Sequence, residues 1–116
     1  MCHIFSGQDP SSYAYHTRSV RLGGHSTSIR LEAAFWHILE EIAAEQGVSL
    51  AKFLTTLHDE VLENVHQAAN FTSLLRCACL TYVSEIRGRA EAEERLRLAA
   101  TQDFGEYLTA RQAALP

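Results

Sequence analysis

Residues 27 to 54 read "TSIRLEAAFWHILEEIAAEQGVSLAKFL", and the hydrophobic period changes inside this stretch. Ser28-Ile29-Arg30-Leu31 alternates polar and apolar, so as a strand it turns Ile29 and Leu31 to one face and Ser28 and Arg30 to the other. From Glu32 the period becomes helical: Phe35, Leu39, Ile42 and Ala43 share one face, opposite Glu40, Glu41 and Glu45. Gly47 is placed to end that helix as a left-handed residue. Ser49 then caps a second helix with Leu50, Phe53, Leu54, Leu57 and Val61 on one stripe, fading near 64–69.

Toward the N-terminus, Ser19-Val20-Arg21-Leu22 repeats the pattern of Ser28 to Leu31, separated from it by the turn residues Gly23-Gly24. Residues 1–17, with Gly7, Pro10 and paired serines, predict an irregular arm. Toward the C-terminus, a third helix is expected over 70–87, beginning at Asn70 or Thr72. It is apolar over most of its circumference as far as Val83, which predicts burial on more than one side. Residues 88–116 are expected to form a charged helical tail, with Glu91/Arg95 and Glu93/Arg97 at i, i+4 spacing and Phe104, Tyr107 and Leu108 giving a short last helix reason to dock. The expected layout is thus an arm at 1–17, a core at 18–64 with an extra strand at 18–22, a buried helix at 70–87 and the tail.

The chain has 116 residues, enough for one domain, and 47% apolar content argues for a folded protein. No signal peptide is legible at the start, and the apolar run near Leu74 to Val83 is broken by Arg76 and too short to span a bilayer, so a soluble cytoplasmic protein is expected. The net charge of −4 is unevenly spread: residues 1–31 hold Arg18, Arg21 and Arg30 against Asp9, whereas 32–63 hold seven acids against Lys52. Cys2, Cys77 and Cys79 fit reduced thiols. Cys77 and Cys79 would lie about 200° apart on a helix, a poor geometry for shared metal ligation. A metal or redox site joining Cys2-His3 to Cys79 stays open, as does a modest pH-sensitive contact at His25. No catalytic constellation or phosphate-binding glycine loop stands out, so neither enzyme activity nor a cofactor or metal is expected.

A lone strand running into a helix must pair with something to satisfy its backbone. If it pairs with the same strand of a second chain, a two-stranded ribbon results. Ile29 and Leu31 pack on helices from both subunits, Trp36 falls in the dimer core or at an interface, and Ser26, Ser28 and Arg30 are presented outward. The major groove of B-DNA, about 12 Å wide, admits such a ribbon.

Thr27 to Leu54 resembles the ribbon-helix-helix class of DNA-binding proteins, the Arc/MetJ repressor type. With "IFSGQDPSSYAYHTRSVRL" before it and "NFTSLLRCACLTYV" after it, the chain resembles, over residues 1–83, a bacterial family of short ribbon-helix-helix proteins with a DNA-binding role. The resemblance implies a mainly α fold with a short β-ribbon in an intertwined homodimer, and a regulator that reads a palindromic or repeated site. It places groove-reading positions on Ser26, Ser28 and Arg30 and a phosphate clamp on Ser49 and Leu50, where a helix start offers unpaired N–H groups and Lys52 can assist. The extra strand departs from the minimal motif. Paired beside the ribbon in both chains, it would make four strands about 4.8 Å apart, too wide to enter the groove flat. It therefore either lies elsewhere, touching the DNA backbone through Arg18 and Arg21, or shields the ribbon. The rival readings are an interaction or adaptor module on the same fold and a cysteine-based metal or redox sensor. A higher oligomer built by the tail stays open.

Overall fold

The computed structural model describes residues 3–65 and 70–99. Cys2 and the aromatic residues Phe104 and Tyr107 lie outside the described residues. Helical turn α1, His3–Ser6, and a 3₁₀ turn at Pro10–Ser12 lead into the chain. Asp9 caps the second of these, accepting from the Ser11 N–H at 3.0 Å, with Pro10 at the first position where its missing donor is harmless.

Strand β1, Tyr15–Leu22, pairs antiparallel with β2, His25–Glu32. The strand expected at 18–22 thus begins three residues earlier, because Tyr15, His16 and Thr17 find partners in Glu32, Leu31 and Arg30. The Ala33 N–H extends the ladder to the Ala14 carbonyl at 2.8 Å. Gly23 and Gly24 form the two-residue loop, with φ of 57° and 81°, the double left-handed pattern whose twist matches a hairpin. β2 is thus paired along one of its edges by β1 of the same chain. The physical reason is local: a two-residue loop brings adjacent strands together at little entropic cost. A Cβ on Gly24 would meet nothing within 4 Å, so the constraint there is purely conformational. Gly24→Val is expected to lower stability by about 1–2 kcal/mol, read by urea denaturation, and Gly24→Asn by less; equal stability of all three would contradict this turn.

Helix α2, Ala33–Glu45, buries Ala33, Trp36, Leu39, Ile42 and Ala43. It ends at Gly47, φ 72°, where the Val48 N–H reaches the Ala43 carbonyl and the Gly47 N–H that of Ala44, both at 3.0 Å. Helix α3, Leu50–Val65, starts with the Ser49 hydroxyl accepting from the Lys52 N–H at 3.1 Å. Helix α4, Phe71–Thr81, follows Asn70, a left-handed residue at φ 60°, and continues as a π-helical turn at Tyr82–Ile86.

The core joins Leu22, Ile29 and Leu31 of the hairpin to Trp36, Leu39 and Ile42 of α2, Phe53 and Leu54 of α3, and Phe71, Leu75, Cys79 and Tyr82 beyond them. Within the single chain, α4 and its π-helical turn bury the stripe of Phe71, Leu75, Cys79 and Tyr82. Leu80 and Val83 remain 63% and 43% exposed, because the turn of the helix that buries Leu75 and Cys79 carries them away from the core. Trp36, expected in the dimer core or at an interface, is 2% exposed within the single chain and donates from Nε1 to the His16 carbonyl at 2.9 Å.

The acids of α2 do not form a free face. Glu40 pairs with Arg18 at 2.8 Å, Glu41 with Arg87 at 2.8 Å, and Glu45 with Arg97 of a helix at 90–99. Arg97 also holds Glu94 at 2.7 Å, and Glu93 accepts from the Gly88 N–H at 2.6 Å. Arg97 thus joins α2 to its own helix through Glu45 and Glu94. Such exposed pairs orient elements more than they stabilise them.

The pair between Glu32 and Arg76 is less exposed and bidentate, at 2.9 and 3.1 Å, and ties the ribbon-to-helix junction to α4. The Arg76 hydrogen bond holds the Glu32 carboxyl below its ordinary value of 4.5. A depressed carboxylate stabilises the fold fully above its unfolded value and loses that contribution as pH falls through the folded one. Arg76→Gln should therefore unfold more readily than wild type near neutral pH, by up to about 1 kcal/mol, with the difference closing below pH ~4. Urea titrations across that range check it; a difference that persists in strong acid would contradict this origin.

Candidate nucleic-acid interface

Strand alternation and register sort the hairpin into two faces. Inward, His16, Arg18, Val20 and Leu22 oppose Leu31, Ile29, Thr27 and His25. Outward, Tyr15, Thr17, Ser19 and Arg21 oppose Glu32, Arg30, Ser28 and Ser26. Every outward residue except Glu32 is exposed. Ser26, Ser28 and Arg30 thus share one surface, and Arg21 joins them from β1.

Arg18 does not. It lies on the helix side, hydrogen-bonded to Glu40, with its guanidinium carbon 4.8 Å from the centroid of Trp36. Pairing Arg18 with Arg21 as two contacts of one arm is therefore corrected. Their separation by three positions puts them on opposite faces of any strand, a signal already present in the sequence.

Arg30 stacks on Tyr15, its guanidinium carbon 4.3 Å from the ring centroid. The sequence places Tyr15 in the irregular arm, and only the cross-strand register reveals it as a neighbour of Arg30. The Arg21 side chain has no hydrogen-bond, ion-pair or ring partner among the described residues. Its backbone is held, since the Thr55 hydroxyl of α3 donates to the Arg21 carbonyl at 3.1 Å. That bond sets the first turns of α3 beside the outer edge of β1. Ser49, Leu50 and Lys52 stand at the start of that helix, with the Ser49 hydroxyl already engaged as its cap.

The two edges of the hairpin differ. Because Ala33 bonds back to Ala14 and the loop closes on Leu22 and His25, the even-numbered positions of β1 face β2 in the ladder. The backbone groups of Ser26, Ser28 and Arg30 consequently point away from β1, along a free edge of β2. Beneath that edge runs a groove lined by Ile29, His25, Leu62, Phe71 and His58. The His58 ring stands edge-on to Phe71 at 5.1 Å, with its Nδ1 buried and unpartnered. The sequence offered no sign of this groove, which depends on how the hairpin meets α3 and α4.

Cys77 is exposed while Cys79 is buried, its Sγ 3.7 Å from the Phe35 carbonyl oxygen and its thiol pushed up to about 11 by desolvation. A thiol so raised is a poor nucleophile and metal ligand at neutral pH. Among the described residues no cluster of His, Cys, Asp and Glu has metal-binding geometry, and no helix is long and apolar enough to cross a membrane.

A two-stranded ribbon, a helix, a glycine stop and a serine-capped helix appear here in order, and residues 15–83 match the ribbon-helix-helix domain. The chain belongs to the ribbon-helix-helix family. This is a family of DNA-binding regulators that typically bind DNA as dimers. The solved structure of an uncharacterized protein from Bordetella pertussis Tohama I is similar at 40% identity and a TM-score of 0.70, covering 79% of this chain and 85% of that one. No curated protein matches the sequence. In ribbon-helix-helix terms, β2 is the strand that leads into the first helix of the motif, α2 and α3 are its two helices, and β1 is an addition laid against the strand from the same chain.

Proposed function

We propose that this protein is a sequence-specific DNA-binding transcriptional regulator, bacterial and cytoplasmic, without enzymatic activity, acting as a homodimer. The observation that carries the reading is the outward face of the hairpin. It is a narrow two-stranded surface on which Ser26, Ser28 and Arg30 stand exposed, backed by a helical core. Arg pairs with the guanine edge and Ser with either partner in the major groove, so these side chains suit base reading. Ser49, Leu50 and Lys52 are placed at a helix start suited to a phosphate. Glu40, Glu32 and Glu41 are each held by an arginine, Arg18, Arg76 and Arg87, and none of the three ion pairs uses Arg21 or Arg30 of the outward face.

The test is a mobility shift against a randomised duplex pool and the DNA upstream of the protein's own gene, at low and moderate salt. Binding should weaken as salt rises, through counterion release. Arg30→Ala should lose about 1–3 kcal/mol of discrimination at its base pair. Absence of binding to any duplex at low salt would sink the reading. It would favour a protein-interaction module on the same fold, for which the exposed Leu80 and Val83 are the specific observation.

A further inference from the structure

Of the arginines from Arg76 to Arg97, Arg76 is held by Glu32, Arg87 by Glu41, and Arg97 by Glu45 and Glu94. The other two are not held by a carboxylate among the described residues. Arg95 has no hydrogen-bond, ion-pair or ring partner there, and the Arg89 side chain makes only a long contact, 3.4 Å, from Nη1 to the Glu85 carbonyl. Both line one groove, together with Glu85, Ile86, Ala92 and Leu96.

Gly88, at φ 77°, turns the chain between the π-helical turn and the helix at 90–99, and the groove runs where the two meet. Ile86 and Leu96 are half-buried against the core, while Glu85, Arg89 and Arg95 are exposed. An apolar floor under two unengaged guanidinium groups suits an occupant that carries apolar side chains and carboxylates together.

We propose that this groove is the seat of the chain's own C-terminal segment "DFGEYL", residues 103–108. Phe104 and Tyr107 cover Ile86, Ala92 and Leu96, and Asp103 and Glu106 meet Arg89 and Arg95. The docking is independent of what the hairpin binds.

Charge is the first argument. Beyond residue 99 the chain carries Asp103 and Glu106 as its acids and Arg111 as its base, and both acids flank the aromatics of this one segment. The groove holds the opposite set, Arg89 and Arg95 with Glu85. Aromatic burial supplies the attraction and the exposed ion pairs fix the register.

Reach is the second argument. Arg95 lies about 6 Å and Ala92 about 10 Å back along the helix from residue 99. Residues 100–103, extended, span up to about 14 Å. Asp103 can therefore return to any level of the groove, and Phe104 follows it directly.

Limited chymotrypsin digestion of the full chain tests the seat, with cleavage at Tyr13, exposed and outside the groove, as the internal reference. Wild type should be cut at Phe104, Tyr107 and Leu108 roughly two- to tenfold more slowly than the double variant Arg89→Glu, Arg95→Glu. Adding Asp103→Arg and Glu106→Arg to that variant should restore the slow rate. Circular dichroism confirms that each variant is folded, and free peptides of residues 100–116 with the same substitutions correct for the protease's own preferences. Equal rates in wild type and the double variant overturn the docking. So does a fourfold variant cut as fast as the double one, since the arginines then act without the two acids. Protection that grows with protein concentration assigns the groove to the segment of a second copy and overturns the seat within one chain.

Discussion

Leu39→Asp is expected to abolish folding. Leu39 is fully buried at the centre of the core, on the face of α2 that meets the hairpin, and none of the buried core residues is charged among the described residues. Removing a buried leucine alone costs about 2–5 kcal/mol, and an unpaired carboxylate adds several more or must take up a proton to remain inside. Domains of this size hold only about 5–15 kcal/mol in total. Circular dichroism should show loss of the cooperative thermal transition; a folded variant with near-native melting would mean that Leu39 does not sit in this core.

Trp36→Ala should have the next largest effect, and it connects stability to the candidate interface. The indole is buried against the hairpin, its Nε1 donates to the His16 carbonyl of β1, and Arg18 lies over its ring. Truncation should cost about 3–5 kcal/mol and loosen β1 from α2. Trp36→Phe keeps most of the buried ring and should lose only about 1 kcal/mol with the hydrogen bond. In the proposed function, Trp36→Ala also weakens DNA binding at temperatures where the rest of the chain is folded, because the outward residues lose their common platform. Thermal unfolding paired with mobility shifts separates the two variants. Equal melting temperatures for Trp36→Ala and wild type would show that the indole is not the clamp.

Much of the fold is legible in the chain alone. The alternation around Ile29 and Leu31, the stripe through Leu39 and Ile42, the glycine stop at Gly47 and the Ser49 cap all reappear where their chemistry placed them. Each is a local property, because a period of 2 or 3.6 and a cap are settled within a turn or two of chain. The shared outward face of Ser26, Ser28 and Arg30 is legible for the same reason. Arg18 was misplaced although its parity with Arg21 held the answer. Tyr15 and the groove beside His58 were beyond reach, since neither residue carries a local pattern that marks its neighbours.

The sequence by itself determined which residues become strand, turn and helix, and which face of β2 is polar, since these follow from neighbours along the chain. Only the tertiary structure decided what β2 pairs with, what Trp36 holds and where the acids of α2 spend their charge. Those outcomes join residues such as Arg18 with Glu40 and Glu32 with Arg76, 22 and 44 positions apart, and such partners are chosen by the packing of whole elements.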